Sequence, residues 1–400
     1  MKEKHIITRK IWIVSFISLF TDIASEMLYP VMPVFLRKIG FTVALIGLLE
    51  GMAEAIAGLS KGYFGNLSDR LRKRVPFIRF GYTLSAISKP MMGILITPAW
   101  IFIARALDRV GKGVRTGARD ALLSEESSPA TKARVFGFHR SLDTLGAAIG
   151  PLVALLFLYF FPEEYRWLFI IAFIPGVLAV SMTFLLKEKK KADLSAVKEH
   201  TPLFGFVSYW KKAPPGYKYL VGGLLAFAVF NSSDVFILLM LKEKGFSDSA
   251  LIGMYVFYNI VYALMSYPLG ALADKIGLRI VLVGGLILFA VVYGSIGFVD
   301  AFGMIVLIFL LYAFYAAAVE GISKALITNI VSGSDAATAI GFYTGFGSLA
   351  TLMASSLAGL LWTAFSPQVM FVFSASGVMI VVIYLSFVFW HDQIRFSKTA

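Results

Sequence analysis

Cysteine is absent from all 400 residues, and only four residues are histidine. The absence of cysteine excludes disulfide bonds and thiolate-ligated metal sites. Charged residues are also scarce, at 15% of the chain, whereas 58% of the residues are hydrophobic. A soluble domain carries about 25% charged residues and a smaller apolar fraction. The composition therefore indicates a membrane protein.

The hydrophobic residues are concentrated in runs long enough to cross a bilayer. A helix needs about 20 apolar residues to span the ~30 Å hydrocarbon layer. Because unpaired backbone groups are costly in lipid, each crossing segment must be helical. The sequence predicts an all-α membrane protein with 12 transmembrane helices, at 11–36, 43–64, 75–95, 98–122, 132–160, 166–186, 218–241, 249–270, 278–298, 303–326, 337–364 and 368–390.

The net charge of +13 lies mainly in the segments between alternate runs, among them SDRLRKR and ADKIGLR. Lysine and arginine collect in cytoplasmic loops, so this asymmetry predicts cytoplasmic N and C termini. The basic start MKEKHIITRK has no small-residue cleavage site after it, and we expect the first helix to be retained. We expect a multi-pass protein of the cytoplasmic (inner) membrane. No nucleic-acid-binding motif accompanies the positive charge.

The chain repeats itself on either side of a polar segment. Residues 187–217 are charged and contain the pair Pro214–Pro215, which is typical of a linker. The stretch GNLSDRLRKR at 65–74 matches GALADKIGLR at 270–279, with Asp69 and Asp274 separated by 274 − 69 = 205 residues. We predict two parallel six-helix repeats, 1–186 and 218–400, joined by the cytoplasmic linker. Such repeats are a known transporter architecture, with the substrate site at their interface.

The duplicated stretch resembles the cytoplasmic signature of the major facilitator superfamily (MFS). The matching residues are Gly65, Asp69, Arg70, Lys73 and Arg74, and in the second half Gly270, Asp274, Lys275 and Gly277. The resemblance implies the MFS fold and a latch that holds the outward-open state. An acid here can pair with arginine or cap a neighbouring helix N-terminus. The residues expected to act in gating are Gly65, Asp69, Arg70, Arg134, Gly270 and Asp274.

Two further stretches resemble motifs of the same family. Arg105, with Gly111 and Gly113, falls where the family carries a helix-four arginine associated with proton coupling. The residues Gly137, Gly146, Gly150 and Pro151 have the spacing of the helix-five antiporter motif. The sequence departs from that motif at Ala154 and Leu155, where two glycines are usual. The resemblance favours antiporter-like export, and plain helix packing is the alternative explanation of these glycines.

The fourth predicted helix carries a row of charge. At 100° per residue, its cations and Asp108 fall within an arc of about 120° on one face. A charge near the bilayer centre costs on the order of 2.5–3.5 kcal/mol, so it should face water or a partner. Two alternatives stay open, namely that Arg115 and Arg119 lie at the cytoplasmic surface and that membrane acids pair with the row. The row comprises Arg105, Asp108, Arg109, Lys112, Arg115 and Arg119.

Acidic and polar residues on other helices complete the candidate site. Asp22 and Glu26 are four residues apart and share a helix face, as do Glu50 and Glu54. The family's cavity is lined by helices one, four, seven and ten. The predicted substrate-binding residues are Glu26, Tyr29, Arg109, Lys112, Arg115, Arg140, Asn231, Asp234, Tyr258, Asn259, Glu320, Lys324 and Tyr343. The predicted proton-coupling residues are Asp22, Glu26, Arg105, Asp143 and Glu320.

These residues predict proton-coupled efflux of a small organic anion or zwitterion by alternating access. The cations suit a carboxylate or phosphate group. The alternatives are export of a divalent metal or a metal chelate such as ferric citrate, and multidrug efflux. We find no nucleophile with a base and no metal triad, so we expect no enzymatic activity, no cofactor and no resident metal. The expected partners are the small-molecule substrate, protons and the lipid bilayer, and a monomer is the family default.

We expect Arg109→Ala to abolish cargo binding while the protein remains folded, because it removes a cation that faces the predicted cavity. Binding can be measured as ligand-induced thermal stabilisation of the purified protein. Unchanged transport by this variant would remove the helix-four site from the hypothesis.

Overall fold

The computed structural model describes residues 6–29, 31–41, 43–188 and 205–396. Within these residues the secondary structure is helical and contains no strand. The helices are α1 (Arg9–Glu26), α2 (Met32–Lys38), α3 (Val43–Arg70), α4 (Val75–Ile94), α5 (Pro98–Glu125), α6 (Lys132–Phe160), α7 (Tyr165–Ile171), α8 (Phe173–Thr183), a 3₁₀ turn (Gly205–Ser208), α9 (Tyr209–Lys212), α10 (Pro215–Phe230), α11 (Val235–Glu243), α12 (Asp248–Ile276), α13 (Leu278–Ile296), α14 (Phe302–Ile330), α15 (Ala336–Ala364) and α16 (Pro367–Phe396).

Eight helical stretches of the described chain are long and apolar enough to cross a membrane. They coincide with the last eight spans predicted from the sequence, from 132–160 onwards. The first four predicted spans are not among these eight, and side chains of the spans 11–36 and 43–64 lie in part outside the described residues. For α5 the charged row accounts for the absence, because its residues lower the mean hydropathy of the helix. The all-helical membrane fold is confirmed, whereas the count of 12 spans and the cytoplasmic termini stay predictions.

Two spans predicted as continuous are interrupted in the structure. The predicted span 11–36 is divided between α1 and α2, and the span 218–241 is divided between α10 and α11. The interruptions occupy nearly equivalent places in the two repeats, since α1 ends at Glu26 and α10 ends at Phe230, and 230 − 26 = 204. Interrupted helices at membrane depth need protein or a water-filled cavity beside them, and they often mark transporter binding sites.

The helices form two compact units. The first contains Met1–Ser128, Leu142–Lys212 and Ser332–Ser348, and in it α5 packs against α3 and α4. The second contains Pro129–Ser141, Ala213–Val331 and Leu349–Ala400, and in it α14 packs against α12 and α13. The unit boundaries fall inside α6 and α15. The domain boundaries drawn from the sequence, at 186 and 218, stay a prediction.

Two glycines of the antiporter-like motif let α6 approach α1 closely in the first unit. A Cβ at Gly146 would come within 2.5 Å of the Leu19 carbonyl oxygen, and a Cβ at Gly150 within 2.7 Å of the Met27 nitrogen. Any larger residue would push the two backbones apart. Small residues serve this purpose in membrane helices, where close backbone packing stabilises association.

We expect Gly146→Ala to destabilise the protein, because overpacking a tight contact costs about 1–3 kcal/mol. The matched control is Gly284→Ala on α13, where nothing lies within 4 Å of the added Cβ. There the better helix propensity of alanine should leave stability unchanged or slightly raised. Thermal unfolding in one detergent compares the two variants. Equal unfolding temperatures would contradict a tight α1–α6 contact.

Candidate functional site

Part of the charged row on α5 is bound to α4 inside the first unit. The Lys89 ammonium lies 3.3 Å from the Asp108 carboxylate and donates to the Ser85 carbonyl at 3.0 Å. Arg115 donates to Ser85 Oγ at 2.6 Å, and its guanidinium lies 4.6 Å from the centroid of the Tyr82 ring. All of these side chains are buried. Asp108 and Arg115 therefore join two helices.

The remaining cations of the row differ in their exposure. Arg105 is buried and interacts electrostatically with Lys89 and Asp108. Arg109 is half-buried and also lies within electrostatic reach of Asp108. Lys112 is exposed and lies within reach of Asp22 on α1. Arg109 and Lys112 are thus the two less buried members of the predicted substrate-binding set on this helix.

A carboxyl pair joins α1 to α6 in the first unit. Asp22 and Asp143 share a side-chain hydrogen bond, and Glu26 and Lys112 lie within electrostatic range of Asp22. A carboxylate only accepts hydrogen bonds, so a bond between two carboxyl groups requires a proton on one of them. The Arg119 guanidinium lies 3.9 Å from the Asp143 carboxylate. Three of the five predicted proton-coupling residues therefore come together here, beside a cation.

Arg140 and Glu320 form an ion pair in the second unit. The Arg140 Nη2 to Glu320 Oε2 distance is 2.9 Å. Tyr262 lies between them, because its hydroxyl accepts from Arg140 Nε at 2.6 Å and donates to Glu320 at 3.2 Å. The side chains of Arg140 and Glu320 are 30% and 48% exposed. This triad is a solvent-reachable charged group that joins α6, α12 and α14.

Asp234 at the start of α11 lies against a cluster of tyrosines. It accepts a hydrogen bond of 2.7 Å from the Tyr312 hydroxyl, and the Tyr312 ring stacks on Tyr258 with centroids 5.1 Å apart. The Asn231 amide donates to the Tyr315 hydroxyl at 3.1 Å. Tyr293 packs beside Tyr312. Asn231, Asp234 and Tyr258 were predicted as binding residues, and the structure brings them to one aromatic cluster.

Sequence reasoning missed four of these tyrosines: Tyr262, Tyr293, Tyr312 and Tyr315. A signal was present, because Tyr258 and Tyr262 are four residues apart on α12, while Tyr312 and Tyr315 are three apart on α14. Both spacings place two rings on one helix face. Aromatic residues in an apolar helix also pack in ordinary cores, so the pattern alone did not single them out.

The other predicted binding residues are more scattered. Asn259 donates to the Tyr255 carbonyl within its own helix, at 3.0 Å. Lys324 and Tyr343 are half-buried, and Tyr29 is exposed. Tyr343 belongs to the part of α15 that lies in the first unit. The side chains of the candidate acids Glu50 and Glu54 lie outside the described residues.

Asp69 of the first signature caps a helix and pairs with an arginine. Its carboxylate accepts from the backbone nitrogen and the hydroxyl of Thr338 at 2.6 and 2.7 Å, in the first turn of α15. Its other oxygen lies 2.6 Å from Arg74, which also bonds Glu125 at 3.1 Å. Arg70, one of the two arginines predicted to act in gating, is exposed. Arg74 is the buried partner instead.

Asp274 of the second signature makes the corresponding cap. It accepts from the backbone nitrogens of Ala133 and Arg134 at 3.2 and 3.0 Å, in the first turn of α6. The two caps are related by the repeat, because 274 − 69 = 205 and 338 − 133 = 205. Charge pairing differs, since the Arg134 guanidinium is 3.8 Å from Asp274 and 20% exposed.

The signature glycines lie beside the same caps. A Cβ at Gly65 would collide with the Ala337 carbonyl, and a Cβ at Gly270 with the Ala133 carbonyl. Each glycine therefore allows the first turn of the capped helix to pack closely against it. The aspartate one turn further on accepts hydrogen bonds from the backbone N–H groups of that first turn. The glycine and the aspartate of the first signature both recur in the second at a distance of 205 residues, since 270 − 65 = 205.

No group of three or more His, Asp or Glu side chains within the described residues could hold a metal ion. The carboxyl pair and Glu26 provide oxygen atoms, but Lys112 and Arg119 lie close to them and oppose a cation. The donor set here does not favour a metal.

Comparison with known proteins identifies the family. A family model described as Major Facilitator Superfamily matches residues 14–258 and 248–398. The chain therefore belongs to the major facilitator superfamily and is a multi-pass membrane transporter of small molecules. The family inferred from the duplicated signature is confirmed.

Individual relatives agree with this assignment. An uncharacterised MFS-type transporter of Methanocaldococcus jannaschii is 31% identical over 391 residues, covering 96% of this chain and 95% of that protein. The quinolone resistance protein NorA of Staphylococcus aureus is 25% identical over 187 residues, which span 46% of this chain and 47% of NorA. The crystal structure of the human organic anion transporter MFSD10 has the same fold, with a TM-score of 0.77 at 17% identity over 94% of this chain and 98% of that one.

We expect Asp69→Asn to destabilise the protein more than Asp274→Asn. Asp69 pairs with Arg74, whose side chain is only 3% exposed, and breaking a buried ion pair costs about 3–5 kcal/mol. Asparagine at 274 leaves a cap acceptor in place and a partly solvated Arg134. Thermal unfolding of the two variants in the same detergent measures the difference. A larger loss for Asp274→Asn would show that capping, and not the ion pair, dominates.

Proposed function

We propose that this transporter couples the export of a small organic anion or zwitterion to the entry of protons. The observation that carries the proposal is the carboxyl pair Asp22–Asp143, which shares a hydrogen bond beside Glu26 and Lys112. The carboxyl pair is the proposed proton site, and Lys112 beside it is the proposed cation for the cargo. Competition between proton and cargo for the same charged group is the physical basis of exchange.

The carboxyl pair supplies the proton step. Two carboxyl groups in hydrogen-bond contact share a proton, because two negative charges at that separation repel each other strongly. The amino group of a zwitterionic cargo competes with the proton for these carboxyl groups, which is the competition that exchange requires, while the anionic group of the cargo pairs with Lys112. Release of the proton on one side and of cargo on the other then completes the cycle. Arg105, which is buried and within electrostatic reach of Asp108, is the residue that orients the charged row in this proposal.

Arg109 and Lys112 supply the cargo contact. Arg115 is engaged by Ser85 and Tyr82, and Lys89 neutralises Asp108, so these groups maintain helix packing. The less buried Arg109 and Lys112 remain suited to a carboxylate or phosphate. The acids Asp22 and Glu26 near the same cations would accept an amino group, which keeps a zwitterion within the proposal.

The caps made by Asp69 and Asp274 supply the gate. Each holds the first turn of one long helix, α15 or α6, through charge-assisted hydrogen bonds. Alternating access requires that these bonds break and re-form, at the cytoplasmic side in the orientation predicted from the loop charges. We place the protein in the cytoplasmic membrane as a monomer of two six-helix repeats, 1–186 and 218–400.

Multidrug efflux is the second candidate. The similarity to the quinolone resistance protein NorA, over 187 residues, favours it. The aromatic cluster around Asp234 offers ring faces and a carboxylate, which suit a lipophilic cation. A metal chelate such as ferric citrate belongs with the anionic cargoes, whereas a bare divalent metal gains no support from the donor set of the first unit.

The first experiment identifies the cargo class. Purified protein is screened by thermal unfolding against di- and tricarboxylates, sugar phosphates, amino acids, divalent metals, metal chelates and cationic drugs at two pH values. A bound cargo raises the unfolding temperature by mass action. Stabilisation by anions or zwitterions that Arg109→Ala weakens would support the proposal. Stabilisation by lipophilic cations alone would favour drug efflux instead.

We expect Asp22→Asn and Asp143→Asn to abolish cargo-driven proton movement while cargo still binds. Each removes one member of the pair that carries the proton. The protein is reconstituted in liposomes containing a pH-sensitive dye, and the cargo class from the screen is added. Asp300→Asn is the matched control, because Asp300 is 87% exposed in a loop pair with Lys244. Proton movement that persists in both variants would remove the carboxyl pair from the mechanism.

A further inference from the structure

A groove on the surface of the first unit lies where α4 begins, beside the chain that follows α8. It encloses about 510 Å³. Its walls are apolar, formed by Val75, Pro76, Phe80 and Leu186, and its polar lining includes Arg79 and Glu188. Its lining includes none of the residues proposed for cargo binding, proton coupling or gating. The groove is therefore a separate feature of the molecule.

Arg79 is the cation of this groove. Its guanidinium lies 4.4 Å from the centroid of the Phe184 ring, an arrangement that holds it by a cation–π contact. Its Nε atom is buried and has no hydrogen-bond partner. Among the residues that the structure describes, no carboxylate forms an ion pair with Arg79. A guanidinium held by a ring and without an ion-pair partner among the described residues can accept an external anion.

The acid in the groove, Glu188, forms no ion pair with Arg79. The Glu188 carboxylate accepts hydrogen bonds from the backbone nitrogens of Arg74 at 3.1 Å and Val75 at 2.8 Å. Glu188 therefore caps α4, where a negative charge is favoured by the helix dipole. Both of its carboxylate oxygens accept hydrogen bonds from backbone nitrogens at the start of α4.

The surroundings of the groove are those of a lipid-facing surface. Phe80, Phe184 and Leu185 are 58%, 62% and 54% exposed, although they are large apolar side chains. Arg79 lies one turn inside α4, about 6 Å from its start at 1.5 Å per residue. With the membrane boundary at the start of the span predicted at 75–95, a long side chain at that depth reaches the level between headgroups and acyl chains. The sequence continues from the groove into the lysine-rich run KEKKK, 187–191, a composition that favours anionic lipid.

We propose that this groove binds the phosphate headgroup of an anionic phospholipid, with an acyl chain lying along Phe80 and Phe184. The guanidinium suits a phosphate because its planar donors match two phosphate oxygens. One cation flanked by exposed apolar rings is a poor site for a free, fully hydrated phosphate. The lipid supplies both the charge for Arg79 and the hydrocarbon for the rings.

The test compares lipids in thermal unfolding of the full chain. Phosphatidylglycerol should raise the unfolding temperature of the detergent-purified protein more than phosphatidylcholine does, and native mass spectrometry should show phosphatidylglycerol retained. Arg79→Gln should weaken this binding about tenfold, because it removes the charge-assisted hydrogen bonds. Thr83→Trp, which fills the groove without a change of charge, should also lose the effect and serves if Arg79→Gln does not fold.

The matched control is Arg279→Gln. Arg279 also lies over a phenylalanine ring, Phe389 at 5.1 Å, but it donates to the Phe389 carbonyl. This variant should keep the response to phosphatidylglycerol. The proposal is overturned if Arg79→Gln and Thr83→Trp respond like the unmodified protein. It is also overturned if phosphatidylcholine, inorganic phosphate or glycerol 3-phosphate stabilises as much as phosphatidylglycerol.

Discussion

A charged side chain in a membrane helix must keep either a partner of opposite sign or contact with water, and the architecture of the first unit follows from this constraint. Asp108 provides the negative charge that stabilises the buried cations around it. Lys89 pairs with it, and Arg105 and Arg109 interact with it electrostatically. Arg115 uses a hydroxyl and a ring in place of an acid. Beside these paired groups, Arg109 is half-buried and Lys112 is exposed.

The two signature aspartates solve a second problem, which is the unsatisfied N-terminus of a long helix. Asp69 caps α15 and Asp274 caps α6, with equivalent residues separated by 205 positions in each pair. The two caps differ in the arginine that accompanies the aspartate. Asp69 has the buried Arg74, whereas Asp274 has the more distant and more exposed Arg134. The two caps therefore differ in the distance and the burial of their arginine partners.

Much of the fold was predictable from composition and local pattern. Hydrophobic runs indicated helices in a membrane, and the duplicated signature indicated the superfamily to which the chain belongs. The interruption after α10 was not predicted, although Asn231, Ser232 and Ser233 are short polar residues that compete for backbone hydrogen bonds. Nor was the tyrosine cluster around Asp234, because an aromatic ring in an apolar helix has the same sequence signature whether it packs or binds.

The sequence by itself determined the helical character, the membrane environment and the family, because each depends on residues that are neighbours along the chain or on motifs of fixed spacing. Only the tertiary structure decided which partner each charged group takes. Asp22 meets Asp143 across 143 − 22 = 121 residues, and Arg115 turns to α4 although helical periodicity placed it with Arg109 and Lys112. Electrostatic partners form through space, and the free energy of a charge depends on everything within a few ångströms of it, irrespective of separation in sequence.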